Sequence, residues 1–431
     1  MLTRIKKRAI LYEEYLRKMK KKIFVRGPVL SQSGYGEQAR FALRALKSRE
    51  DIFEIFIQPL RWGQTGWIWE SNEFRNWMDE RITTTQLLIH QKQLKPDISL
   101  QISVPNEFQK ICPVNIGYTA GIETSMVSPA WLEKGNEMDK ILVVSNHAKT
   151  TYENTSATMT NKQTGETIPY KLVTPIEVVS ETTPRNTPEE INGLSLDYDF
   201  NFLMVSQIGP RKNFENSLKW WVEEFIDQEV GLVIKANIAS NSITDWTHLY
   251  PSVEKILSKY SDRKCKVYLL HGDLSSGQMT WLYQHPKIKS LINISHGEGF
   301  GLPMFEAARE ALPIVSIGWS GQTDFLRHNE KDYFQSVDYT LSPVQPQAVW
   351  PGVIEKESQW AYADQGSYKM TLRRTKKNWE QAKKTAEDLQ TIIEKEFNEE
   401  KLFANFCNNI YEEEQFEIEN WLDGLDLEEH E

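Results

Sequence analysis

Short apolar runs alternate with amphipathic stretches over most of the chain, and that alternation predicts its architecture. KKIFVRG, DIFEIFIQ, DISLQISV, PVNIGYTA and KILVVS read as strands, with helices expected between them at 36–48 and 128–136. A second series runs FNFLMVSQ, GLVIKANI, CKVYLLHG, IKSLINIS and LPIVSIG, with helix-like segments near 211–227, 251–260, 275–285 and 303–311. Strands written as continuous apolar runs are covered on both faces, and their repetition with helices implies parallel sheets joined by right-handed crossovers. Two such series predict two doubly wound α/β domains facing each other across a cleft. Between them, residues 181–199 (ETTPRNTPEEINGLSLDYD) are polar and carry Pro184 and Pro188, as an interdomain connection would. Farther on, 371–410 is helical, with Trp379, Ala382, Ala386, Leu389, Ile392 and Ile393 near a 3.6-residue stripe. The expected division is an N-terminal domain over 22–180, a linker over 181–199, a C-terminal domain over 200–350 and C-terminal helices over 351–410.

Composition narrows the class. The 431 residues suit two ordinary domains, and 40% hydrophobic with 26% charged residues is a globular balance. With 60 Asp and Glu against 50 Lys and Arg the net charge is −10, which argues against general nucleic-acid binding. No apolar stretch reaches the ~20 residues of a membrane span. The three scattered cysteines, Cys112, Cys265 and Cys407, suit a reducing cytoplasm and lack the spacing of a zinc site. The two ends differ from the rest. Residues 1–21 are basic, read as a helix or tail that leaves open a peripheral contact with an anionic membrane surface, and 411–431 form an acidic tail.

The chemistry concentrates in Asn293-Ile-Ser-His-Gly-Glu-Gly-Phe-Gly-Leu-Pro-Met-Phe-Glu306. A buried strand enters a loop bearing Gly297, Gly299 and Gly301, and Pro303 then opens a helix. Backbone N–H groups at a helix start favour anions, and closely spaced glycines let a phosphate approach the backbone. Glu298 and Glu306 flank the loop. This stretch resembles the signature of retaining glycosyltransferases of the family 4 type, which adopt the GT-B fold of two facing Rossmann-like domains. The resemblance covers roughly residues 22–330 and, weakly, the helices of 355–410. It implies that Glu298 contacts the transferred sugar near the reacting carbon and that Glu306 binds the ribose hydroxyls. Gly299, Phe300, Gly301 and Leu302 would hold the sugar and diphosphate.

Two further stretches carry the resemblance. FLMVSQIGPRKNFENSLKWW is similar to the family's first C-domain strand, making Arg211 and Lys212 the cations that stabilise the leaving diphosphate. Their adjacency departs from the commoner spacing, so their individual roles stay open. KIFVRGPVLSQSGYGEQARFALRAL resembles the opening strand, loop and helix, with Gly34 and Gly36 as backbone approaches to donor or acceptor and Arg40 read as structural. The same Gly-x-Gly-x-x-Ala could suggest a dinucleotide site, but the loop is long and the next strand ends in Gln58-Pro59, not an acid. Glu123 and His147 lie in a segment similar to the family's acceptor-domain loops. The expected histidine of that region is replaced by Tyr118, Thr119 or Ala120. His147 is as readily a helix-start residue with a satisfied ring.

Other residues are set aside. Asp197 and Asp199 precede a strand instead of following one, so no metal is expected there. Lys235, at a strand end, could face the cleft, although a lone strand-end Lys is more often simply exposed. Trp62, Trp67, Trp69 and Trp77 could stack on an acceptor sugar, yet packing is the favoured reading for so dense a group. What the resemblance implies is therefore transfer of a sugar, with retention and without cofactor or metal, from a nucleoside-diphosphate sugar to a glycan, lipid or small-molecule hydroxyl. The attack is described for the family as front-face. A sugar-nucleotide epimerase of the same architecture and a non-catalytic carbohydrate-binding scaffold are the alternatives.

Overall fold

In the computed structural model, residues 20–160 and 165–412 are described. Residues 1–19 of the basic 1–21 segment, with the membrane contact left open for it, and residues 413–431 of the acidic 411–431 tail lie outside them. The first sheet holds β1 (Lys21–Gly27), β2 (Phe53–Pro59), β3 (Ile98–Ile102), β4 (Val114–Thr119), β5 (Lys140–Val143) and β6 (Ile176–Val178), in the order β2-β1-β3-β4-β5-β6. The second holds β7 (Asn201–Gln207), β8 (Gly231–Asn237), β9 (Lys266–Leu270), β10 (Ile288–Asn293), β11 (Ile314–Ile317) and β12 (Gln335–Val337), in the order β9-β8-β7-β10-β11-β12. Every pairing within both sheets is parallel. Continuous apolar strands are what this requires: all five residues of β3 are buried, because helices cover both faces. These are two Rossmann-like domains in the GT-B arrangement.

Each sheet changes direction of winding once, between β1 and β3 and between β7 and β10. At such switch points the loops leaving adjacent strands diverge and open a crevice at their carboxyl ends. The two crevices face each other. Helices α1 (Gly34–Lys47), α2 (Glu73–His90), α3 (Pro129–Gly135) and α4 (Asn146–Asn154) serve the first sheet. Helices α5 (Phe214–Phe225), α6 (Ile243–Leu257), α7 (Ser276–Gln284), α8 (Leu302–Arg309) and α9 (Thr323–Leu326) serve the second.

The C-terminal helices return to the first domain, as expected. The 371–410 stripe is broken into α10 (Gln365–Lys377), α11 (Trp379–Glu396) and α12 (Glu399–Ile410). Phe406 of α12 is fully buried between Phe41 and Tyr118, and the Cys407 thiol donates to the Ala45 carbonyl at 3.2 Å. One expectation fails. Residues 351–363 do not belong to the helices: Gln359–Ala363 forms an antiparallel hairpin with Tyr339–Pro343. Between those strands the chain makes an excursion to the first domain. There Val353 packs beside Phe108 and Trp131, and Glu355 accepts from the Ser128 hydroxyl at 2.6 Å.

Candidate functional site

The two loops leaving the second sheet's switch point are stitched together. His296 N–H donates to the Arg211 carbonyl at 2.8 Å, and the Asn213 amide donates to the Ile294 carbonyl at 3.2 Å. Arg211 and Lys212 occupy a 3-10 turn ahead of α5, where the helix dipole opposes positive charge. Carboxylates offset that. Glu298 accepts from Lys212 Nζ at 2.6 Å, Arg211 Nη1 at 2.8 Å and Ser295 Oγ at 2.8 Å. Arg211 Nε also lies 3.4 Å from Glu123 of the first domain. Burial alone would raise the Glu298 pKa, but Lys212 and Arg211 outweigh it and hold the carboxyl well below the usual range. The structure thus brings Glu298, Arg211, Lys212 and Glu123 into one ionic cluster.

The glycines have a different immediate partner from the one their spacing suggested. A Cβ on Gly297 would meet the Glu123 carbonyl at 2.3 Å, and one on Gly299 the Ala120 carbonyl at 2.4 Å. Both positions are kept bare by the backbone of the facing domain. Gly301 does need glycine's freedom: its φ is +98°, and it turns the chain into α8 with no side chain capping the first turn. Gly299, Phe300, Gly301 and Leu302 line a cavity of about 1440 Å³ between the domains, together with Glu298, Glu123, Arg211 and Lys212.

Glu306, one turn into α8, also lines the cavity and accepts from the Tyr283 hydroxyl at 2.9 Å. Burial pushes its pKa up to about 7 against the Tyr283 hydrogen bond, with Glu37 adding repulsion. Gly34 lines the cavity from the first domain, at the start of α1. Gly36 does not. It is buried, and a Cβ there would strike the Ser31 carbonyl at 2.0 Å. His147 stands away from the cavity lining, edge-on to Trp319 at 4.9 Å. Burial lowers its pKa to about 4. Arg40, read as structural, donates to the Val29 and Ser31 carbonyls at 2.9 Å and also lines the cavity. Lys235 lines the cavity rather than standing exposed, and its Nζ lies 3.3 Å from Asn241 Oδ1.

Asp197 and Asp199 are paired to Lys266 at 2.6 Å and Lys287 at 3.3 Å. Among the described residues no group of three or more His, Cys, Asp or Glu could hold a metal ion, and no helix is long and apolar enough to cross a membrane. The packing reading of the tryptophans holds for Trp77, 8% exposed, and fails for Trp67 and Trp69, each 58% exposed.

Several cavity residues carried no signal in the sequence. Glu181 is 3% exposed with one carboxylate oxygen unpartnered, and burial raises its pKa to about 8. Nearby, Arg44 donates to the Thr182 carbonyl at 3.1 Å and Arg309 to the Pro184 carbonyl at 3.2 Å, so each domain holds the linker through one arginine. Outside the cavity lining, Ser320, with φ +78°, accepts the Glu298 N–H at 2.9 Å. A positive φ outside glycine leaves no trace in composition.

No family model matches the chain, and no curated protein matches it. Solved structures do. Sucrose-phosphate synthase of Thermosynechococcus elongatus is similar at 11% identity and a TM-score of 0.57, covering 94% of this chain and 100% of its own. HepE of Anabaena, in complex with UDP and glucose, is similar at 10% identity and 0.56, covering 90% and 99%. TarM of S. aureus matches at 13% identity and 0.47; the chain spans 55% of it, and nothing further rests on that likeness. At these identities the shared property is the fold.

Proposed function

We propose that this chain is a retaining glycosyltransferase that moves a sugar from a nucleoside-diphosphate donor to an acceptor hydroxyl, in glycan or polysaccharide biosynthesis. The observation that carries the reading is the Glu298–Arg211–Lys212 cluster, set at the switch point of the second sheet and facing the interdomain cavity. When the bond between sugar and diphosphate breaks, negative charge grows on the β-phosphate. Cations already fixed by Glu298 and Glu123 meet that charge without reorganising, which is where most electrostatic catalysis arises. The presence of UDP with glucose in HepE supports the same donor class here.

Glu298 has both oxygens engaged, so it positions the cations instead of attacking the sugar. That favours a front-face course. The acceptor oxygen bonds to the anomeric carbon as its bond to the diphosphate oxygen breaks, and the acceptor proton passes to the departing phosphate. Glu306 receives the ribose hydroxyls, and the first turn of α8 supports the diphosphate. The side-chain cations take the charge that a divalent metal would otherwise take. Three unpaired thiols support a reducing, cytoplasmic setting.

The test is a thermal-shift screen against UDP-, GDP- and ADP-sugars, since a ligand bound only by the native state raises its stability. It is followed by NMR of the product's anomeric configuration. No stabilisation by any of them, or conversion of donor without an acceptor, refutes the proposal.

A further inference from the structure

Three tryptophans stand on the cavity wall without being buried by the protein. Trp69 is 58% exposed and Trp350 62% exposed, and Trp62 is half-buried against Tyr35 with ring centroids 4.4 Å apart. Trp62 and Trp69 lie on the segment leaving β2; Trp350 comes from the excursion of the second domain. Large exposed indoles gathered on a concave wall mark a binding face more often than a neutral surface.

The wall is built, not loose. The segment bearing Trp62 and Trp69 is bonded to the loop after β1: Gln32 N–H donates to the Gly66 carbonyl and Ile68 N–H to the Leu30 carbonyl, both at 2.8 Å. Arg75 Nη1 secures the Ile68 carbonyl at 2.8 Å. Trp350 is fixed by paired bonds with Ile354, its N–H donating at 2.9 Å and its carbonyl accepting at 2.7 Å. Rigid aromatic side chains present area at small conformational cost.

The groups between them select the ligand. Arg61, Glu70 and Glu73 line the same wall. A lipid chain laid over the indoles would strand those charges without hydrogen-bonding partners. A nucleic acid would bring phosphates against Glu70 and Glu73 on a chain of net charge −10. A sugar ring has an apolar C–H face for an indole and a rim of hydroxyls for carboxylates and guanidinium groups. We infer that Trp62, Trp69 and Trp350 form a saccharide platform, so the acceptor is an oligosaccharide. The inference rests on the glycosyltransferase reading and narrows its acceptor.

Trp67 supplies the control. It lies two residues from Trp69 and is equally exposed at 58%, yet it is not part of the cavity wall. The full chain and its Trp69→Ala, Trp350→Ala and Trp67→Ala variants are applied to a printed array of defined oligosaccharides and to neutral phospholipid vesicles. Binding of UDP, GDP and ADP to the wild-type chain is measured separately. The wild type and Trp67→Ala should retain the same oligosaccharides, with at least ~tenfold weaker retention by Trp69→Ala and Trp350→Ala. Retention of no oligosaccharide, retention by vesicles instead, or equal behaviour of all three variants overturns the platform. Failure to bind any nucleoside diphosphate counts against the glycosyltransferase reading instead, so the two failures are distinguishable.

Discussion

Replacing Glu298 by Gln isolates the central electrostatic claim. The carboxylate is 5% exposed and accepts from Lys212, Arg211 and Ser295. Gln is nearly isosteric but offers one acceptor oxygen and one NH2. It can satisfy either cation while turning a donor toward the other. Two positive charges then share Glu123 alone, at 3.4 Å from Arg211. Breaking a buried pair while leaving its partner costs about 3–5 kcal/mol. The surviving hydrogen bond returns about 1 kcal/mol, so the expected loss is roughly 2–4 kcal/mol. Because the folded pKa of Glu298 is depressed, this stabilisation is fully present above the ordinary carboxylate range and lost as pH falls below it. The wild-type advantage over Glu298→Gln should therefore hold at pH 7 and shrink in acid. Urea unfolding of Glu298→Gln, Lys212→Met and the double variant reads it, with a coupling energy of about 2 kcal/mol expected. Turnover of a nucleotide sugar in Glu298→Gln should drop ~10²–10³-fold. Additive single effects together with near-normal turnover would refute the cluster's role.

Other expectations follow from the same geometry. Glu306 and Glu181 have folded pKa values raised to about 7 and about 8, so the folded state holds their protons more tightly than the unfolded chain does. Stability should fall as pH rises from about 4.5 through those values, by roughly 3 kcal/mol for Glu306. Glu306→Gln should flatten that part of a melting-temperature profile, and an unchanged slope would count against it. Gly299→Ala places a methyl 2.4 Å from the Ala120 carbonyl, whereas Gly34→Ala meets nothing within 4 Å. The first should change the X-ray scattering envelope and abolish turnover; the second should leave the envelope intact. Phe406→Ala, at a site 0% exposed, should destabilise the chain by about 3–5 kcal/mol in urea unfolding, reporting the anchorage of α12.

What the sequence disclosed follows from where burial comes from. IFVRG, ISLQI and NFLMV are apolar because both faces of each sheet are covered, so their strands were legible. Helix α2 was not: only Trp77, Met78, Ile82 and Thr85 are buried, and three threonines blur its periodicity. The edge strands β6 and β12 are three residues each, too short for any period. The Gly-rich loop and its glutamates were legible as a site, but the reason for two of the glycines was not. A sequence records a missing Cβ and not the carbonyl that excludes it. Glu181 was hidden because the charged groups around it, Glu37 and Arg44 of α1 and Glu306 of α8, lie far away along the chain.

The two domains touch in chemically different ways at the front and the rear of the cleft. At the rear the contact is apolar: Phe397 packs on Phe305 at 5.7 Å and on Phe325 at 6.4 Å, and Phe406 packs on Phe41 at 5.7 Å. Around the cavity it is mixed: Arg211 meets Glu123, the bare faces of Gly297 and Gly299 meet two carbonyls, and Val353 packs beside Phe108 and Trp131. Water can replace the Arg211–Glu123 contact at small net cost, because a lost protein hydrogen bond is largely exchanged for one to solvent. It cannot replace the rear ones, where exposing aromatic area costs roughly 25 cal/mol per Å². Separating the domains at the cavity would remove Glu123 from Arg211. Arg211 therefore has carboxylate partners from both domains only while the two are in contact here. On the proposed function, that contact would also help keep water from the transferred sugar.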